Sequence, residues 1–165
     1  MKTLYLTLTV IVLLLLCTNL AQAQTNQTNL NQTELTKQFM GSWKCDFGND
    51  TTFFMEGKLY GTGSEYNYNY AAKGKLFMEG KQLAGYDKKI DKIVYVNLEK
   101  GKDIEMLALW FTSTNKYIIT SYRDIANPEK ASFKFEGEFK SPNLFVEKLI
   151  INGKLLKTYT MTRVK

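Results

Sequence analysis

The chain has 165 residues with a formal net charge of +6, an apolar share of 44% and an aromatic share of 13%. That is the makeup of one globular domain, not of a disordered chain. It holds 2 cysteines and no histidine, which excludes Ser-His-Asp and Cys-His catalysis, histidine-ligated metals, haem on a proximal histidine and multi-cysteine zinc sites.

Residues 1–23 read as a secretory signal peptide. Lys2 supplies the positive start, Leu4 to Leu16 forms an apolar run, and Ala21 and Ala23 make an A-x-A cleavage site. The run is shorter than the ~18–20 residues of a membrane span, so no transmembrane segment is expected once the signal is cleaved. Lipoprotein anchoring through Cys17 is disfavoured by the bulky Leu16 before it. The expected location is therefore secreted or periplasmic. Cleavage leaves Cys45 as the lone cysteine, placed between Trp43 and Phe47 as a small buried hydrophobe, with no internal disulfide available.

The positive charge is carried by scattered lysines, with Arg123 and Arg163 the two arginines. Base readout and phosphate clamps favour arginine forks and basic blocks, so no nucleic-acid partner is expected. Residues 24–33 are polar and low in complexity and read as a disordered leader. The folded domain is expected over 34–165. It should open with a short helix capped by Thr33, with Leu35 and Phe39 on one face and Gly41 ending it.

Alternation with a period of two follows. Trp43, Cys45 and Phe47 alternate with charged residues, as do Phe133, Phe135 and Phe139, while Tyr66, Tyr68 and Tyr70 alternate with Asn67 and Asn69. Ile90–Leu98, Glu105–Thr114 and Lys116–Tyr122 are apolar on both faces. Asn152-Gly153 is a hairpin signal, and Glu56-Gly57, Glu79-Gly80, Lys100-Gly101 and Glu136-Gly137 are turn or bulge candidates. Phe54-Met55-Glu56-Gly57-Lys58 recurs as Phe77-Met78-Glu79-Gly80-Lys81, read as repeated hairpin chemistry. Roughly eight to ten short strands without crossover helices predict an antiparallel sandwich or up-and-down barrel.

The opening Phe39-Met40-Gly41-Ser42-Trp43-Lys44 resembles the G-x-W start of the calycin superfamily, the lipocalins and fatty-acid-binding proteins. The closing Thr160–Lys165 resembles their last strand, and Gly85-Tyr86-Asp87 is similar to a bacterial lipocalin-like family of unknown function. The resemblance implies an up-and-down barrel with a short helix before its first strand. It also implies a structural signature of Gly41, Trp43 and Arg163, with the guanidinium packed over the indole. The sequence leaves no room for a helical lid after Phe47. Lys165 stands where fatty-acid-binding proteins place a carboxylate-binding tyrosine, so the resemblance does not carry a fatty-acid site.

Candidate ligand-binding residues are Tyr66, Tyr68, Tyr70, Trp110, Met106 and Arg163. Three phenols on one strand face suit a cavity wall or a glycan-stacking face, and equally a cross-strand packing cluster. Met106, Ala108 and Trp110 share a face that suits core or pocket. No Gly-rich phosphate loop, zinc pattern or calcium loop is present, and no cofactor or metal is expected. The reading is non-covalent binding of a small apolar or amphipathic molecule inside a barrel, not an enzyme. Two other readings stay open. A solidly packed barrel that binds a protein or glycan on its surface would have no interior void. A histidine-free enzyme would bury a carboxylate or tyrosine of perturbed pKa in the cavity.

Overall fold

The structure, a computed structural model, describes residues 30–164. The expected signal segment 1–23 with Cys17, the leader before Leu30, and Lys165 lie outside the described residues. The α-helix α1 (Gln32–Thr36) leads through a 3-10 turn (Lys37–Phe39) into ten strands. These are β1 (Gly41–Gly48), β2 (Thr51–Tyr60), β3 (Gly63–Ala72), β4 (Lys75–Asp87), β5 (Lys92–Glu99), β6 (Glu105–Phe111), β7 (Lys116–Ser121), β8 (Phe133–Ser141), β9 (Leu144–Ile151) and β10 (Lys154–Arg163). Each strand pairs antiparallel with the next, and β10 returns to β1, giving a closed barrel with no free sheet edge. The architecture is all-β and up-and-down, consistent with a calycin-like barrel.

Helix α1 begins at Gln32, inside the segment expected to be a leader. Its cap is Asn31, whose side chain accepts a hydrogen bond from the Glu34 amide at 3.1 Å, and not Thr33. Gln32 is buried because its amide acts as a strand end. Its Nε2 donates to the Phe111 carbonyl at 3.2 Å, and its Oε1 accepts from the Phe111 amide at 2.7 Å. Those two bonds fix the helix against the end of β6 and satisfy backbone groups that would otherwise be buried unpaired.

Asn152-Gly153 does form a hairpin turn, with φ of 48° and 76°, and Lys100-Gly101 also lies in a turn. Gly57, Gly80 and Gly137, expected at turns or bulges, instead lie inside strands. Each faces a tyrosine across the ladder: Gly57 opposite Tyr66, Gly80 opposite Tyr68, Gly137 opposite Tyr117. A Cβ at any of them would overlap the tyrosine ring. The glycines are niches over which rings lie flat. This also explains the Phe-Met-Glu-Gly-Lys repeat, because β2 and β4 flank β3 and each offers one of its tyrosines a niche. Gly80→Ala is expected to lower stability by about 1–3 kcal/mol, the range for overpacking, read as a lower urea midpoint. Gly85→Ala on the same strand meets open space and should leave the midpoint unchanged.

One end of the barrel is closed by an aromatic floor. Phe39 projects from the 3-10 turn and packs edge-on against Tyr117, Phe139 and Phe145 at centroid distances of 4.9, 5.0 and 5.6 Å. Trp43, with no exposed surface, stands beside Phe145 at 4.7 Å and donates its indole N–H to the Phe39 carbonyl at 3.0 Å. The Arg163 guanidinium covers the indole at 4.2 Å and donates to the carbonyls of Gln38, Met40 and Pro142. Trp43 and Arg163 are also register partners across the β1–β10 seam. Gly41 has a φ of +96°, and the space its missing Cβ leaves is taken by Arg163 Nη1. The G-x-W pattern therefore has a local cause here: left-handed backbone, passage for a guanidinium, then the indole beneath it.

Candidate functional site

Above the floor the barrel encloses a cavity of about 490 Å³. An eight-stranded barrel is just wide enough to fill with side chains or to hold one small ligand, and interior width grows with strand number. Ten strands leave room. The cavity runs from Phe39 and Phe145 at the floor to Phe47, Glu99 and Glu105 at the other end, where β1 and β5 finish and β6 begins.

Tyr66, Tyr68 and Tyr70 all line the cavity, placed there by the parity of β3. Their hydroxyls are held differently. The Tyr66 hydroxyl accepts from Ser64 Oγ at 3.1 Å. The Tyr68 hydroxyl lies 2.7 Å from Asn97 Oδ1 and 3.1 Å from Glu99 Oε2, and Glu99 is itself ion-paired to Lys102. Desolvation, followed by the nearby Glu99 charge, pushes the Tyr68 pKa far above the ordinary tyrosine range. Tyr70 packs against Phe53 at 4.8 Å and stacks on Phe47 at 5.8 Å, and burial pushes its pKa up to about 12. At neutral pH all three are neutral phenols lining the void.

The other three candidates lie elsewhere. Inward parity on β6 belongs to Leu107 and Leu109, so Met106 and Trp110 point outward. Met106 is 46% exposed, and Lys92 Nζ sits 4.3 Å over the Trp110 ring. Met106, Ala108 and Trp110 do share one face, and it is the outer one. Ala108 on that face has no exposed surface; the 3-10 turn at Tyr122–Asp124, which follows β7, lies against β6. Arg163 is committed to the floor and the seam, and Trp43 and the floor aromatics separate it from the cavity. It cannot fix the polar end of a ligand there.

The polar centre of the cavity is a residue outside the sequence-derived candidates. Glu147 of β9 points inward between Phe145 and Leu149. Its Oε1 accepts a 2.8 Å hydrogen bond from the Tyr117 hydroxyl, whose ring reaches it by lying over Gly137. The carboxyl sits deep among apolar and aromatic groups. Desolvation raises its pKa to about 7, and the Tyr117 hydrogen bond only partly offsets this. Tyr70, Tyr95, Tyr117 and Tyr159, from four different strands, all feel its charge. The signal was alternation itself: Phe145, Glu147, Leu149 and Ile151 share one face. It was masked because Val146 and Ile150 make the other face apolar too.

Among the described residues no group of three or more His, Cys, Asp and Glu side chains is placed to hold a metal, and no helix is long and apolar enough to cross a membrane. In comparisons with known proteins, no family and no curated protein matches the chain.

Proposed function

We propose that this protein is an exported, lipocalin-like carrier that binds one small apolar or amphipathic molecule inside its barrel. The single observation that carries the reading is the cavity: about 490 Å³, walled by aromatic and aliphatic side chains, with a few polar groups placed among them. That volume lies in the range of small-molecule sites, and each methylene buried there contributes about 0.8 kcal/mol. The sequence of residues 1–23 supports export. The packed-barrel alternative required a filled interior, and the void counts against it.

Two measurements test the reading. Native mass spectrometry of the chain purified from its own host, with solvent extraction, is expected to find a discrete small apolar or amphipathic passenger. The neutral dye prodan is expected to bind one per chain with a blue-shifted emission. Leu149→Trp, which fills the void from the wall, should weaken the dye by about tenfold, the equivalent of a lost apolar contact area. A bare chain that also ignores prodan would overturn the reading.

One observation favours a second reading, catalysis without histidine. Glu147 titrates near neutrality in the cavity beside Tyr117, as a general acid-base group would. Catalysis would appear as conversion of the extracted passenger on incubation with the protein, abolished in Glu147→Gln. Binding alone returns it unchanged.

A further inference from the structure

Resting on the carrier reading, we propose that the cavity selects amphiphiles with an amine head, the ammonium seated against Glu147 and the hydrocarbon chain running along the aromatic wall to the mouth. The geometry that carries this is a carboxyl group left half-satisfied inside the barrel cavity. Glu147 Oε1 is bound by Tyr117. Its Oε2 has no protein donor among the described residues, and the side chain lines the cavity. No ion pair among the described residues includes Glu147, and no lysine or arginine lines the void. The other carboxylates of the lining are Glu99 and Glu105. The electrostatics of the interior are therefore those of an anion awaiting a cation or a donor.

The ligand head must supply what the protein omits. An ammonium donates a charge-assisted hydrogen bond to Oε2 and finds aromatic faces on the surrounding strands. A carboxylate head seated at Glu147 would meet a like charge with no guanidinium or ammonium beside it, since Arg163 lies beyond the floor and the Lys157 ammonium stands over Phe47 at the rim. An alcohol could donate, but without charge compensation. The pH behaviour follows from the groups around Glu147. Tyr117 of β7, Tyr95 of β5, Tyr70 of β3, Tyr159 of β10 and Cys45 of β1 are all shifted upward by burial and stay protonated. Lys157 Nζ on β10 lies over the Phe47 ring at 4.7 Å, at the rim. β8 presents Gly137 and Phe135, and Glu105 and Glu99 complete the ring from β6 and β5. Glu147 is thus the group whose proton must leave when a cation arrives.

Three probes of equal chain length test the inference: octylamine, octanol and octanoate, each measured by displacement of prodan at several pH values. At pH 8 octylamine is expected to bind at least about tenfold tighter than octanol, in line with a hydrogen bond to a charged group, with octanoate weakest. Octylamine affinity should fall as pH drops from 8 to 5.5, with proton release on binding detected calorimetrically in buffers of different ionisation enthalpy. Octanol should be indifferent to pH. Glu147→Gln should remove both the amine preference and its pH dependence while still binding prodan and octanol, which certifies the fold of the variant. Tyr117→Phe keeps the carboxyl but removes its donor, so the pH profile should move upward. Octanoate binding as tightly as octylamine, or an amine preference that survives Glu147→Gln, would overturn the inference and leave the carrier reading standing. Failure of prodan and octanol to bind the wild type would overturn both.

Discussion

Trp43→Ala is expected to lower the unfolding free energy by about 4 kcal/mol, in the range measured for deleting large buried aromatic side chains. The side chain has no exposed surface and fills the floor between Phe139, Phe145 and Arg163. Its removal does three things together. It opens a void the rigid barrel cannot collapse, it leaves the Phe39 carbonyl without its indole donor, and it strips the Arg163 guanidinium of the face it covers. The site matters beyond its own volume because the β1–β10 ladder is short. Trp43 pairs with Arg163 and Lys44 with Thr162, helped by the Val164 amide donating to the Ser42 carbonyl at 2.8 Å. A domain of this size is typically stable by about 5–15 kcal/mol, so the variant should approach the limit of folding. Urea midpoints check this. Trp43→Phe should recover part of the loss, and a Trp43/Arg163 double-mutant cycle should show coupling of about 1 kcal/mol for the cation-π contact. A loss below about 1 kcal/mol for Trp43→Ala would mean that the seam closes without its plug.

That corner of the molecule could be read from the sequence because two distant signals coincide there. Gly41 and Trp43 near the start and Arg163 near the end each have few physical uses, and a closed barrel brings the first and last strands together. The barrel itself was legible for a similar reason. Period-two alternation in Trp43–Phe47, Tyr66–Tyr70 and Phe133–Phe139 leaves little choice but sheet with one covered face. What sequence could not resolve was which face of a doubly apolar strand turns inward. Met106 and Trp110 share one face and Leu107 and Leu109 the other, both faces are apolar, and only the fold shows that the leucines turn inward. Glu147 was hidden by the same ambiguity.

The glycines misled for a different reason. A charged residue followed by glycine suits a turn, and the pair alone does not separate Lys100-Gly101, which turns the chain, from Glu79-Gly80 and Glu136-Gly137, which sit mid-strand. The distinction lies in the neighbouring strand, in Tyr68 and Tyr117, and so depends on register. Polar leader and helix were confused at Gln32 because its burial depends on the Phe111 backbone 79 residues away.

Stability of the empty barrel is expected to fall as pH rises from about 5 to about 7, and Glu147→Gln is expected to abolish that slope. In the folded chain Glu147 titrates near 7, and its ordinary value is 4.5. Between those values the folded state holds a proton that the unfolded state has released, so raising the pH favours unfolding until the folded group also ionises. The full cost is about 3 kcal/mol as an upper bound, because water admitted to the cavity screens part of it. Glutamine keeps an acceptor for the Tyr117 hydroxyl and has no charge to bury. The variant should therefore match the wild type near pH 4.5 and exceed it by up to that amount at pH 8, with the difference developing between the two. Glu138, whose pKa is held down by Lys140 on the surface, acts in the opposite sense and only at acid pH, so it does not imitate the effect. Urea midpoints of both chains at half-unit steps from pH 4.5 to 8 decide the matter, and parallel curves would remove Glu147 as the cause. The same measurement joins stability to occupancy. A cationic occupant compensates the buried charge, so octylamine should stabilise the wild type most at pH 8, where the empty barrel is weakest, and should stabilise Glu147→Gln equally at every pH.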